Sequence, residues 1–177
     1  SDTNKDSWSY AGFQATLDGF AWDNQSGWVD GALRISNGAS IAFNNYAPLL
    51  SDATLIGKTI ELEFASRNVD DDDAVICDLR NANGTGMLLT ASDARLISRV
   101  GNVVYTKFKS NERNRIAFVV NRSANVTNKN LVFVYVNGIL SGAINYGSSD
   151  NYVSDAILKF QGTADAQIDL YSIRIYS

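Results

Sequence analysis

The chain has 177 residues, a length that corresponds to one domain. It carries 15 Lys and Arg, 19 Asp and Glu and no His, for a formal net charge of −4. Without His, a Ser-His-Asp triad and a His-ligated metal site are excluded, and the single cysteine, Cys77, excludes an internal disulfide and a Cys-ligated zinc site. The mild acidity argues against nucleic-acid binding, which normally requires a basic face.

The acidic residues are strongly biased towards Asp, which accounts for 16 of the 19. Asp, Asn, Ser and Gly are turn residues with poor helix propensity, so this composition favours strands joined by polar turns. No apolar run approaches the about 18 residues that a membrane span needs, and no signal peptide is visible. We therefore expect no membrane insertion, and we interpret the chain as an excised domain or a mature product.

Short apolar or alternating segments along the chain predict a series of β-strands. They fall at 13–17, 29–35, 39–43, 59–64, 74–79, 86–91, 95–100, 103–108, 115–120, 131–136, 139–144, 157–161 and 166–176. The segment 59–64 alternates strictly, which predicts that Ile60, Leu62 and Phe64 face inward. Asn137-Gly138 stands between two apolar pairs, as a two-residue type I′ hairpin turn would.

The last predicted strand changes phase along its length. Ile168 and Leu170 share one alternation, whereas Ile173 and Ile175 share the other, so either a bulge lies near Tyr171-Ser172 or the strand is buried on both faces. The segment 147–156 has room for one short helical turn. Taken together, the pattern predicts an N-terminal segment at 1–12 and one all-β domain at 13–177, folded as a two-sheet sandwich or jelly roll.

Five segments, in order and at similar spacing from about Phe13 to Tyr176, carry a family resemblance. They are Gly27-Trp28-Val29-Asp30-Gly31-Ala32-Leu33-Arg34-Ile35, Lys58-Thr59-Ile60-Glu61-Leu62-Glu63-Phe64, Asn114-Arg115-Ile116-Ala117-Phe118, Val134-Tyr135-Val136-Asn137-Gly138 and Ile168-Asp169-Leu170-Tyr171-Ser172-Ile173-Arg174-Ile175-Tyr176. The chain thereby resembles laminin-G-like domains of the concanavalin A-like lectin/glucanase superfamily, most closely the modules in bacteriophage tail and virion proteins. The resemblance implies a concanavalin A-like jelly-roll sandwich of two antiparallel sheets, and a role in carbohydrate binding or adhesion, often with calcium.

The same superfamily includes glycoside hydrolases, which need two carboxylates placed across the scissile bond. Glu61 and Glu63 share one face of a predicted strand and are the nearest match. They lack the third acid of the glucanase pattern, E-x-D-x-x-E or E-x-D-x-E, and a solvated sheet face is the alternative interpretation. We therefore expect a protein that is not an enzyme. Cys77 is expected to be a small apolar strand residue.

Two acidic features are candidate calcium ligands. The run from Asp70 to Asp73 concentrates four carboxylates, which favours a counter-ion, although a solvated loop or a grip on sugar hydroxyls would also explain it. Asp169 matches the Asp of the family's terminal motif, which often lies near calcium, so the resemblance implies a metal there; an Asp bonded to loop backbone is the alternative. The predicted metal ligands are Asp169, Asp70 and Asp73.

Sugar binding usually combines an aromatic platform with polar side chains that bond hydroxyl groups. If Val134 and Val136 point into the core, Tyr135 and Phe133 face outward, and Tyr105, Arg113 and Arg115 then line the same surface. Aromatic residues of a sandwich also pack in the core: for Trp28 and Phe133 we expect a core position over a ligand site, and for Trp22, Tyr46 and Tyr135 core and ligand site are equal alternatives. The candidate carbohydrate-binding residues are Trp22, Tyr46, Asp72, Tyr105, Arg113 and Tyr135.

The sequence thus predicts a non-catalytic carbohydrate-binding or adhesion module in a phage tail or another receptor-binding virion or extracellular protein. Its expected partners are a cell-surface or polysaccharide glycan and other domains of a longer protein. Two alternatives stay open: a structural or oligomerising virion or adhesin domain without its own ligand, and a glycoside hydrolase.

Overall fold

The described part of the chain consists of antiparallel strands and turns. In a computed structural model, residues 7–10, 13–43, 57–80, 82–98, 100–122, 130–146 and 158–176 are described. Within these residues there is no helix, and hence none long and apolar enough to cross a membrane. The strands are β1 Ser7–Tyr10, β2 Phe13–Asp18, β3 Gly27–Val29, β4 Ala32–Ile35, β5 Ser40–Phe43, β6 Thr59–Arg67, β7 Val75–Arg80, β8 Gly86–Thr90, β9 Asp93–Ile97, β10 Val103–Lys107, β11 Asn114–Arg122, β12 Asn130–Val136, β13 Ile139–Tyr146, β14 Leu158–Gln161 and β15 Gln167–Tyr176.

The strands pair into one large sheet and two small ones. The large sheet has the order β13-β12-β11-β6-β15-β4-β3, and the small sheets have the orders β1-β2-β5-β14 and β10-β9-β8-β7. Strand β14 lies beside β7, so the two small sheets continue one another and form the second layer of a sandwich. All pairings between the described strands are antiparallel, which confirms the predicted all-β jelly-roll architecture.

The core lies between the layers and follows from the period-2 patterns of the strands. Ile60, Leu62 and Phe64 of β6 are fully buried, as the alternation predicts. On the opposite layer, Phe160 and Ile76 are buried as well, and all five belong to one continuous apolar cluster. Cys77 is also buried there, and burial raises the pKa of its thiol, in keeping with the expected role as a small apolar residue.

The turn between β12 and β13 has the geometry that the sequence predicts. Asn137 and Gly138 have φ angles of 52° and 82°, the pair of positive values that a type I′ turn requires. Val134 and Val136 are buried, so Tyr135, which alternates with them, lies on the outer face of the large sheet.

The predicted irregularity near Tyr171-Ser172 is a β-bulge. The pairing of β15 with β6 shifts register between Leu170 and Ser172. Before the bulge Asp169 is opposite Ala65, and after it Ser172 is opposite Glu63. Because the bulge inserts one residue, odd-numbered Asp169 before it and even-numbered Ser172 after it both lie on the outer face of the sheet.

Two predicted segments, 1–12 and 147–156, lie partly or wholly outside the described residues. Ser7–Tyr10 falls in the predicted N-terminal segment at 1–12, and it pairs with β2 at the edge of a small sheet. The helical turn expected at 147–156 lies outside the described residues.

Candidate functional site

A groove crosses the outer face of the large sheet over strands β6, β11 and β12. Its volume is about 620 Å³. It contains two of the predicted carbohydrate-binding residues, Arg113 and Tyr135. The lining residues are Glu61, Glu63, Arg113, Asn114, Arg115, Ala117, Val119, Tyr135, Asn137 and Gly138.

The register of three neighbouring strands explains why these side chains meet. Ala117 of β11 is opposite both Tyr135 of β12 and Glu61 of β6, so one row runs from the aromatic ring through a small apolar residue to a carboxylate. In a parallel row, Val119 is opposite Phe133 on one side. At Ala117 and Val119, β11 has small aliphatic side chains between larger side chains of its neighbours, so this part of the strand forms the floor of the groove.

The polar wall of the groove is a network of arginines and glutamates. Arg113 Nε donates a hydrogen bond to Glu63 at 2.8 Å, and Arg174 Nη1 donates one to Glu61 at 2.9 Å. Arg115 is 4.0 Å from Glu61 and 3.9 Å from Glu63. The Arg113 guanidinium also lies over the Tyr171 ring, 3.9 Å from its centroid, which holds the cation in place.

The end of the groove is fixed by a pair of asparagines. Asn137 Oδ1 accepts a hydrogen bond from the backbone N–H of Arg115 at 2.8 Å, and Asn137 Nδ2 donates one to Asn114 at 3.2 Å. The buried Asn114 amide in turn donates to the carbonyl oxygens of Lys109 and Glu112, both at 2.8 Å. These bonds attach the β12–β13 turn to the loop before β11. The side-chain amides of Asn114 and Asn137 therefore fix the position of this end of the groove.

Asp169 lies on the same outer face, but its surroundings do not fit calcium. Its two oxygens accept three hydrogen bonds, from Arg34 at 2.8 and 3.0 Å and from Arg67 at 2.5 Å. Burial alone would raise the pKa of Asp169, but the bonds from Arg34 and Arg67 outweigh it and hold the pKa below its usual range. With both oxygens bonded to cations, the carboxylate is not available to a metal ion as the resemblance implied, nor is it bonded to loop backbone.

The other two predicted metal ligands lie in the loop between β6 and β7. Asp73 is paired with Arg95, and Asp70 is exposed in the loop between β6 and β7. Of the residues that the structure describes, no three acidic, Cys or His side chains are close enough to hold one metal ion. Calcium at Asp70, Asp73 and Asp169 therefore has no support in this geometry.

Tyr105 does not share the groove with Arg113 and Tyr135, contrary to the expectation of a single surface. It lies on β10 of the other layer, where it is 58% exposed and stacks with Arg95 at 5.0 Å. Arg95 also pairs with Asp93 and Asp73, and Asp72 is exposed next to them in the loop. The reason is topological, because β10 pairs with β9 while β11 pairs with β6.

The three remaining aromatic predictions have different outcomes. Trp22 is half-buried, stacks on Phe20 with 5.0 Å between ring centroids, and packs against the core. Trp28, which we expected in the core, is 61% exposed, because β3 is the edge strand of the large sheet. Tyr46 lies outside the described residues.

Both glutamates of the groove are bonded to arginines. A glycosidase needs one carboxyl group that stays protonated near neutral pH, which requires a raised pKa. The hydrogen bond from Arg113 instead holds the pKa of Glu63 below its usual range. The sequence pattern of Glu61 and Glu63 predicted either a catalytic pair or a solvated sheet face, and it gave no sign of their hydrogen bonds to Arg113 and Arg174.

Comparison with solved structures shows the fold. The chain is similar to the binding domain of botulinum neurotoxin DC in complex with SialylT (TM-score 0.64, 11% identity, 93% of this chain and 42% of that chain). It is also similar to the same domain in complex with rat synaptotagmin II (TM-score 0.63, 11% identity, 93% and 43%). A third similar structure was described under "Cell entry of botulinum neurotoxin type C is dependent upon interaction with two ganglioside molecules" (TM-score 0.62, 12% identity, 93% and 43%).

The chain thus spans about two fifths of the length of these binding domains. No protein-family model matches the sequence, and no curated protein matches it. At these identities the likeness establishes the β-sandwich fold alone.

Proposed function

We propose that the protein is a non-catalytic glycan-binding module and that the groove over β6, β11 and β12 is its binding surface. The observation that carries the proposal is the meeting of Tyr135, an apolar floor and a wall of arginines in one groove of about 620 Å³. A sugar presents an apolar C–H face and a rim of hydroxyls, so it suits an aromatic ring beside charged hydrogen-bonding groups. The binding domains of similar fold, one in a complex with SialylT, agree with this choice of ligand class.

The wider setting of the module is part of the same proposal. The chain corresponds to a fraction of the similar binding domains, which favours a role as one domain of a longer protein. The resemblance of its five sequence segments to phage-tail modules suggests a virion tail or another extracellular protein that contacts cell-surface glycans. Binding is expected to proceed without calcium, because the Asp169 oxygens are bonded to Arg34 and Arg67.

The test is a glycan array on the purified protein, followed by calorimetric titration of the best ligand. Tyr135→Ala should weaken binding about tenfold or more, because loss of an aromatic stack costs on the order of 1 kcal/mol and loss of its buried area adds to this. Tyr135→Phe keeps the stack and should lose less.

Tyr105→Ala is the matched control, since Tyr105 is an outward-facing tyrosine on the other layer. If Tyr105→Ala abolishes binding and Tyr135→Ala does not, the site belongs to the other layer. Absence of binding to any saccharide by the folded protein would remove the proposed function altogether.

A second candidate function, self-association, is favoured by the exposed tip of the β12–β13 hairpin. Ile139 and Leu140 are 70% and 52% exposed, and β13 is the edge of the large sheet as the structure describes it. An exposed apolar edge strand is a template for pairing with another chain. Light scattering over a range of concentrations tests this, and a monomer throughout would exclude it; a dimer or trimer lost in Leu140→Lys would support it.

A further inference from the structure

The ion-pair cluster along the wall of the groove contains more cations than anions. Arg113 and Arg115, which line the groove, and Arg174 beside it share the two carboxylates of Glu61 and Glu63, which leaves one positive charge in excess in this cluster. The whole chain has a net charge of −4, so this cluster has the sign opposite to that of the protein as a whole. A surplus cation inside a concave surface attracts an anionic group more than a neutral one.

Of these three arginines, Arg115 makes the weakest contacts with the two glutamates. Its side chain is 52% exposed, and its carboxylate neighbours are 3.9 and 4.0 Å away, near the limit of an ion pair. Its guanidinium donates no hydrogen bond to any residue that the structure describes. Since a guanidinium carries five N–H donors in a planar fork, most of that capacity faces the open groove.

Arg113 adds donors at a fixed place. Its Nε is bonded to Glu63, and the plane of its guanidinium is held over Tyr171. Within the described structure its terminal nitrogens donate no hydrogen bond, so they too can serve a ligand. A fork whose orientation is already fixed loses little entropy when it binds a carboxylate or sulfate in bidentate fashion.

The position of Tyr135 relative to Arg115 allows one ligand to use both. Tyr135 is opposite Ala117, which is two residues from Arg115 on the same face of β11. Tyr135 and Arg115 are therefore diagonal neighbours across the two strands, a separation of about 7–8 Å between Cα atoms. Long side chains interact readily across such a diagonal, so a sugar ring on Tyr135 would bring a substituent next to the guanidinium.

We propose that this groove selects acidic saccharides, with a carboxylate or sulfate group bound by Arg115 and Arg113 and a sugar ring on Tyr135. The inference rests on the proposed glycan-binding function and specifies its ligand class. Arg174 and Glu61 then act as supporting residues. Arg174 neutralises the carboxylate of Glu61, so that Arg115 remains available to the ligand.

The experiment compares one neutral oligosaccharide with the same oligosaccharide carrying a terminal carboxylate sugar and with its sulfated form. Each is titrated calorimetrically into the protein at about 0.05 M and about 0.5 M sodium chloride. The wild type should bind at least one acidic form about tenfold more tightly than the neutral form at low salt, as expected for a charge-assisted hydrogen-bonded pair. The preference should shrink at high salt, because the groove is open to solvent.

Arg115→Gln should remove most of this preference, because it should weaken binding of the acidic form several-fold more than binding of the neutral form. Arg115→Lys keeps the charge without the planar fork and should retain part of it. Lys159→Gln is the control, because it removes the same charge from an exposed position on β14 of the opposite layer and should change nothing. Thermal melts establish that each variant is folded.

The outcomes separate the two proposals. Equal affinity for neutral and acidic forms in the wild type overturns the acidic preference while the glycan-binding function stands. An equal loss of both affinities in folded Arg115→Gln also overturns it, since Arg115 would then be a general contact. If none of the three saccharides binds, and the array shows no other ligand, the proposed function fails together with the inference.

Discussion

Replacement of Asp169 by asparagine tests the ion-pair cluster that connects β4, β6 and β15. The substitution keeps the size of the side chain and removes its charge. In the native protein the carboxylate is 3% exposed and accepts hydrogen bonds from Arg34 and Arg67. Asp169→Asn therefore leaves two guanidinium groups without their counter-ion on the outer face of the large sheet.

The expected loss follows from how buried each partner is. Removing one partner of a buried ion pair costs about 3–5 kcal/mol, because the remaining charge is uncompensated. Here the side chains of Arg34 and Arg67 are 21% and 36% exposed, so water screens them and recovers part of the cost. We expect a loss of about 2–3 kcal/mol at pH 7, or a fall in the melting temperature of about 4–12 °C for a domain of this size.

The pH dependence has a defined sign. The pKa of Asp169 is lowered in the folded protein, so its contribution is fully present above the unfolded pKa of about 3.9. It is lost as the pH falls through the lower, folded value. The difference between wild type and Asp169→Asn should therefore be constant from about pH 7 to about pH 5 and close below about pH 4.

Urea unfolding followed by tryptophan fluorescence at several pH values measures this difference. Asp165→Asn is the control, because Asp165 is exposed and its side chain makes no ion pair with any described residue. The reasoning would be refuted by a difference of less than about 0.5 kcal/mol at pH 7, or by one that grows towards acid.

Three further predictions concern the packing of β13, the β12–β13 turn and the role of calcium. Gly142→Ala should destabilise the protein by about 1–3 kcal/mol, measured by urea unfolding, because its Cβ would come within 2.5 Å of Val104 Cγ1; no loss would mean that Val104 moves aside freely. Asn137→Ala should cost about 1–3 kcal/mol in the same measurement, since it removes the bond to the Arg115 backbone N–H and puts alanine at φ 52°; Asn137→Gly, which tolerates that φ, should lose less. Removal of calcium by a chelator should change neither the melting temperature nor glycan affinity, because Asp169 is bonded to arginines; a marked fall in either would restore a calcium site.

Much of the fold was predictable because its determinants are local. Period-2 alternation assigned the buried face of β6, and the Asn137-Gly138 pair assigned the β12–β13 turn, as the structure confirms. The phase change in β15 predicted a bulge, which lies between Leu170 and Ser172. Each of these features depends on residues within a few positions of one another, so the sequence carries them without knowledge of distant partners.

The candidate site was predictable only in part. Tyr135 was correctly placed on an outer face, because its alternation with buried valines is also local. Tyr105 was wrongly grouped with Arg113, because an outward position does not say which layer a strand joins. Trp28 was wrongly expected in the core, since a large aromatic residue is buried only if its strand has a neighbour to cover it, and β3 is an edge.

The sequence by itself determined that this protein is an all-β sandwich without the residues for the common His- and Cys-dependent chemistries. The tertiary structure alone decided which charges meet. Asp169 is 135 positions from Arg34 and 102 from Arg67, and Glu63 is 50 from Arg113. Residues so far apart in sequence come into contact only through the order of the strands in the sheet. The register that brings the cations beside Tyr135 is therefore a property of the assembled sheet and not of any segment within it.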